Sequence, residues 1–258
     1  MFRVLSKKIK IAIFEISGTI VDPYGYQSIK AMDFALRSHS IPVVVHRLLD
    51  SSGYGERRRI NNYIECLKLP SRTADNVFEA YIQRYSSFQD RILTTPDIHH
   101  LLRDLKEKNV KLIATSSLPN ELVNSIVRPR FGANTWDAVV SSDGVSNNNE
   151  YFNNLIEAFN ARDKREVVLF SGTIPLLTED ACYESWKVGV LQFSPYLYHS
   201  QNDMTKNWDT AHHKLAQVVR GKNGFMITSN IGDNAFIIDD INRMLNSEKL
   251  SKETNGWR

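Results

Sequence analysis

The 258 residues predict an α/β protein: a parallel sheet wrapped by helices, with a helical domain inserted after the first strand. Three observations carry that expectation. Short apolar runs recur along the chain, segments of helical periodicity separate them, and the long stretch after the first run contains helix patterns alone. With 42% hydrophobic and 24% charged residues, the chain can bury a full core.

Residues 9–15, IKIAIFE, form an apolar run that ends at Gly18-Thr19, which suits a buried parallel strand leaving the sheet through a turn. Further runs follow at 110–116 (VKLIATS), 136–142 (WDAVVSS), 166–172 (EVVLFSG) and 186–193 (WKVGVLQF). Between them, Leu101, Leu102 and Leu105, then Leu122, Ile126 and Val127, then Phe152, Leu155, Ile156 and Phe159 recur at helical spacing. This alternation places any site at the carboxyl ends of the strands. Residues 23–95 read as three helices, 27–38, about 56–67 and 74–91, and form the inserted domain. The Asp22-Pro23 and Thr95-Pro96 pairs mark its hinges, because a residue before proline is pushed out of helical geometry. The core is then 1–22 and 96–246, with a helix at 209–220, a strand in GFMITS, a helix at 234–245 and a polar tail at 247–258.

Only two cysteines occur, Cys66 and Cys182, which excludes a disulfide framework and predicts buried thiols. No run approaches the ~18 apolar residues of a membrane span. The opening MFRVLSKKIK is basic and acid-free, as a short mitochondrial targeting segment or a solvated lead-in would be. A net charge of +3 is too weak to point to nucleic acid.

The strand-end sequence FEISGTIVD (14–22) resembles the first motif of the haloacid dehalogenase superfamily, Phe-Asp-x-x-Gly-Thr. The order and spacing of the segments from 9 to 245 resemble the phosphonoacetaldehyde hydrolases in particular: GTIVD leads into a helical cap, TTPDIHHLLRDLKEKNVKLIATSS matches the second motif, and NGFMITS…INRML the last strand and helix. The resemblance implies a Rossmann-like core, with the helical insertion as cap.

The family's functional positions, carried onto this chain, are altered. The nucleophilic aspartate corresponds to Glu15, whose carboxylate sits about 1.5 Å farther out, whereas nucleophile placement tolerates about 0.5 Å. Two residues on stands Ser17 in place of a general acid/base. The hydroxyl of the second motif survives as Thr115 or Ser116; alternatively, such a residue caps the helix beginning near Pro119. The third motif's cation position holds Asn149, the fourth motif's magnesium-binding aspartates correspond to Gly172 and Leu176, and the cap's imine-forming lysine corresponds to Glu56. Too few carboxylate oxygens remain for a hard six-coordinate cation, so no cofactor is expected.

Other candidates read as ordinary structure. Arg57, Arg58 and Arg59 spread around a helix as a solvated face, with an RNA contact as the alternative. The pairs His99-His100 and His212-His213 point their rings apart, and Trp186, Phe193, Tyr196 and Tyr198 pack a core or an interface. The expectation is therefore a non-catalytic relative, a structural or protein-binding subunit of a larger, possibly mitochondrial assembly such as a ribosome or respiratory complex. The alternatives are an active phosphatase or phosphonatase with Glu15 as an atypical nucleophile, and an RNA-contacting module.

Overall fold

The computed structural model describes residues 9–17, 19–22, 26–43, 55–95, 98–143, 148–161, 166–171, 187–193 and 225–229. Six strands, β1 (Ile11–Glu15), β2 (Lys111–Ser116), β3 (Ala138–Ser141), β4 (Val167–Ser171), β5 (Lys187–Phe193) and β6 (Phe225–Ser229), pair in the order β3-β2-β1-β4-β5-β6, and every pair is parallel. The apolar runs therefore mark the strands correctly, because strands buried on both faces are apolar along their whole length.

The pleat divides those strands between two cores. Ala12, Phe14, Leu112, Ala114, Val168 and Phe170 face one side. There they meet Leu101 and Leu105 of α4 (Ile98–Glu107) and Leu122, Val123, Ile126 and Val127 of α5 (Asn120–Phe131). Ile11, Ile13, Ile113, Val167 and Leu169 face the other side, against Phe152, Leu155 and Ile156 of α6 (Asn148–Ala158). Phe14 stacks on Phe170 with centroids 4.5 Å apart and meets Trp136 edge-on at 5.8 Å.

Between β1 and α4 the described elements are helical: α1 (Tyr26–Ser38), α2 (Glu56–Cys66), α3 (Ser71–Ser86) and a 3-10 turn (Gln89–Arg91). Ala31, Ala35, Ile60, Ile64, Val77 and Tyr81 bury their packed faces. The helix expected over 74–91 stops at Ser86. The hydroxyls of Ser86 and Ser87 donate to the carbonyls of Ile82 and Arg84, both at 2.7 Å, and so compete with continuation of the ladder. Cys66, expected to be buried, is exposed, because it ends α2 on the outward face.

The two linkers of this helical segment are clasped together. Asp22 N–H donates to Leu93 O (2.8 Å), Thr95 N–H to Ile20 O (2.9 Å), and the Thr95 hydroxyl to Thr19 O (2.6 Å). Asp22 is buried at φ +48°, a backbone region that Asp tolerates better than most residues. Its carboxylate accepts the N–H groups of Gln27 (3.2 Å) and Ser28 (2.9 Å), which would otherwise be orphaned in the first turn of α1. Among the described residues no helix is long and apolar enough to cross a membrane. Cys182, Trp186, Tyr196, Tyr198, His212, His213, the expected helices at 209–220 and 234–245, the tail and residues 1–8 lie outside the described residues.

Candidate active site

Strand order reverses at β1, which has β2 on one side and β4 on the other, so the crevice beyond its carboxyl end is where this architecture forms sites. β1 ends at Glu15. The chain then turns tightly, with Ile20 and Val21 N–H both donating to Ile16 O (3.1 and 3.0 Å). That turn brings the Thr19 hydroxyl to 3.4 Å from Glu15 Oε2, a weak donation that orients the half-buried carboxylate.

Hydroxyls from the neighbouring strand line the same end. Thr115 is the register partner of Glu15, so both side chains lie on the α6 side of the pleat. The Thr115 hydroxyl shares a 3.0 Å hydrogen bond with the phenol of Tyr151 on α6, and burial pushes that phenol above its usual range. Ser116 lies on the opposite face, where its hydroxyl is 3.3 Å from that of Ser17. Leu118 N–H donates to Ser116 Oγ at 3.2 Å, whereas the N-cap of α5 is Pro119, which makes no side-chain cap hydrogen bond. The alternative of a Ser or Thr cap at that helix therefore does not hold.

The helical segment closes over this end from above. The Ser117 hydroxyl donates to the buried carboxylate of Glu56 in the first turn of α2. Gly55, just before it, approaches so closely that an added Cβ would lie 2.6 Å from Ser117 Cβ. Arg57 bridges Asp143, beyond β3, at 3.0 Å and Asp75 on α3 at 3.4 Å, with its guanidinium 3.9 Å from the Phe78 ring centre. Arg57 is thus a fastening rather than part of a solvated face, while Arg58 is exposed. Tyr81 and Tyr85 of α3 complete the seam. Burial raises both phenols well above their ordinary range; Glu56 and Tyr85 add to this for Tyr81, and Asp22 and Glu56 for Tyr85. The Tyr81 phenol bonds Ser28 at 3.1 Å. That of Tyr85 is buried without a hydrogen bond of good geometry, although Ser17 lies near enough to pull its pKa back.

The structure therefore gathers Glu15, Ser17, Glu56, Thr115 and Ser116 at one place. Asn149 is the second residue of α6, but its side chain, with Gly172 and Leu176, lies outside the described residues. Sequence reasoning missed Ser117, Asp143, Tyr85 and Tyr151. Of these, Ser117 adjoins the second-motif position and Tyr151 lies two residues from the third-motif position; Asp143 and Tyr85 are not next to any motif position. Magnesium, which the resemblance implies, needs several oxygen ligands. Among the described residues no three His, Cys, Asp or Glu side chains gather, and Gly172 and Leu176 have no side-chain oxygen to give. The described residues alone do not supply such a ligand set. Nor does Glu56, engaged by Ser117 and lacking an amine, permit imine chemistry.

No family model matches the chain, and no curated protein does. Solved structures do. A hydrolase from Pseudomonas syringae superposes with a TM-score of 0.67 at 17% identity, over 91% of this chain and 97% of its own. A haloacid dehalogenase-like hydrolase from Streptococcus pneumoniae gives 0.57 at 13%, over 72% and 85%. The chain shares its fold with these solved hydrolases. CbbY from Rhodobacter sphaeroides, solved in complex with phosphate, shares it with a TM-score of 0.59 at 15% identity, over 71% and 86%.

These likenesses correct the functional expectation. Solved structures with this haloacid dehalogenase-like fold are named as hydrolases and phosphatases, which runs against a non-catalytic structural subunit and favours the alternative built on Glu15. The physical reason lies in two places. Glu15 keeps a half-buried carboxylate at the strand end among hydroxyls. The positions on which loss of function rested most, Gly172 and Leu176, lie where the structure describes nothing. The mitochondrial-assembly reading falls with the subunit reading.

Proposed function

We propose that the chain hydrolyses a phosphate ester at the carboxyl end of β1, with Glu15 as the attacking carboxylate and the helical segment as its cap. The observation that carries this reading is the placement of Glu15 beside the strand-end hydroxyls of β2, beneath Glu56 and Arg57, in a fold shared with hydrolases. A Glu15 oxygen attacks phosphorus as the ester P–O bond breaks, and the leaving oxygen takes a proton. The resulting acyl phosphate on Glu15 is opened by water, which releases inorganic phosphate and restores the carboxylate. Hydroxyls of Thr115, Ser116 and Ser17 are the donors available to the phosphoryl oxygens, and donors fixed before reaction stabilise developing charge better than mobile water does.

The decisive experiment assays phosphate release from a panel of monoesters, with and without added divalent cations, in the wild type and in Glu15→Gln and Glu15→Asp. Removal of a covalent nucleophile should lower kcat by roughly a thousandfold or more, and rapid quenching should trap phosphate on Glu15. Turnover that survives Glu15→Gln, or no release from any monoester, would refute the proposal.

A further inference from the structure

We propose a second ligand site on the outer face of the helical segment, built to take a nucleoside phosphate. A cavity of about 550 Å³ opens between α1 and the end of α3, and none of its lining residues belongs to the site around Glu15. Its size is that of small-molecule pockets.

Its charge is one-sided. Lys30, Arg37, Arg84 and Arg91 line it, against the single acid Asp33, which is committed to Arg37 at 2.9 and 3.0 Å from Nε. Arg84 is held differently from an ordinary surface arginine. Its guanidinium carbon lies 4.7 Å from the ring centres of both Phe34 and Phe88, and its Nε is buried with no hydrogen-bond partner. Flanked by two rings, the guanidinium has its orientation fixed before any ligand arrives, so little rotamer entropy is lost on binding. Its planar fork suits phosphate oxygens.

The second half of the ligand follows from Phe34. That ring is 47% exposed, one of few large hydrophobic side chains so placed among the described residues, and it lies on the cavity wall beside Arg84. A phosphate alone would leave this ring wet. A planar base attached to the phosphate would stack on it, as bases stack on aromatic side chains generally. An anion carrying a flat ring therefore accounts for both features.

Isothermal titration of the full chain with a purine nucleoside diphosphate tests this, with inorganic pyrophosphate and a short single-stranded oligonucleotide as comparison ligands. Binding of the diphosphate should persist in Glu15→Gln. It should weaken about ten- to a hundredfold in Arg84→Gln, as expected for a lost charged hydrogen bond. Because Arg84 also packs, the exposed-site variants Arg91→Gln and Phe34→Ser provide readouts that leave the core intact. Phe34→Ser should weaken the nucleoside diphosphate about tenfold and leave pyrophosphate unchanged. The proposal is overturned by no heat at millimolar nucleotide, by affinity unchanged in Arg84→Gln and Arg91→Gln, by loss of binding in Glu15→Gln, by equal sensitivity of both ligands to Phe34→Ser, or by the oligonucleotide binding far more tightly than the mononucleotide.

Discussion

Gly55→Ala isolates the docking of the helical segment onto the strand ends. Gly55 has φ −49° and ψ 151°, a conformation open to alanine, so backbone strain plays no part. Two smaller effects oppose each other. Alanine gains about 0.4–1 kcal/mol by restricting the unfolded chain, and loses several tenths because glycine is the better N-cap residue. The steric effect decides. The new Cβ would lie 2.6 Å from Ser117 Cβ, whereas carbon atoms pack at about 3.5–4.0 Å, so the start of α2 must retreat by roughly 1 Å. That retreat stretches the Ser117–Glu56 hydrogen bond and the Arg57–Asp143 bridge together. Overpacking of this kind costs about 1–3 kcal/mol, or roughly 3–10 °C in Tm for a chain of this size. Calorimetric melting of wild type, Gly55→Ala, Ser117→Gly and the double variant measures it. Ser117→Gly is itself destabilising, since it strands the Glu56 carboxylate, but it removes the opposing Cβ. In that background Gly55→Ala should cost close to nothing, giving a coupling of about 1–2 kcal/mol. Equal melting of Gly55→Ala and wild type, or additive losses in the double variant, would show that the close approach does not fasten the segment.

Other consequences can be measured on the same protein. Tyr81→Phe gives up the bond to Ser28 and should cost about 0.5–1.5 kcal/mol, whereas Tyr85→Phe removes a hydroxyl with no good partner and should be neutral or mildly stabilising in urea titrations. Both phenols are raised in the folded state, so their contribution is intact below the unfolded value near 10 and is lost as pH rises beyond it; absorbance at 295 nm should report their ionisation only together with unfolding. For Asp137, burial alone would raise the carboxyl, but the Leu112 N–H and Lys111 outweigh it and hold the pKa below 3.8. Its stabilisation is present above that value and is lost as pH falls through the lowered one, so Asp137→Asn should flatten the acid limb of the stability profile. Phe14→Ala, which deletes the ring between Phe170 and Trp136, should cost about 3–5 kcal/mol by calorimetry.

The sheet was legible because a doubly buried parallel strand needs apolar residues at every position, and IKIAIFE and EVVLFSG meet that need without reference to the rest of the chain. Much of the site was legible for a similar reason. Glu15, Ser17, Thr115 and Ser116 sit at strand ends, and strand ends can be counted along a sequence. What stayed hidden depends on contacts across the chain. Ser117 looks like any serine until Glu56 is placed above it, and Arg57 looks solvated until Asp143 arrives from beyond β3, 86 residues away. Burial of Tyr85 against Ser17 likewise has no local signature. The inference to inactivity failed differently: it rested most on Gly172 and Leu176, which lie outside the described residues, and least on Glu15, whose carboxylate the fold keeps at the strand end.

The clasp between the two linkers also bears on how the chain folds. Pairing Ile11 with Lys111 closes a loop of ~100 residues, and β1 must find β2 across it. Once Ile20, Asp22, Leu93 and Thr95 are joined, the loop that remains is roughly a quarter as long, which lowers the closure entropy by about 1 kcal/mol. The helical segment then becomes a side branch whose length barely affects the search. A chain built this way can lengthen, shorten or exchange that branch while the kinetics of assembling the sheet stay nearly the same.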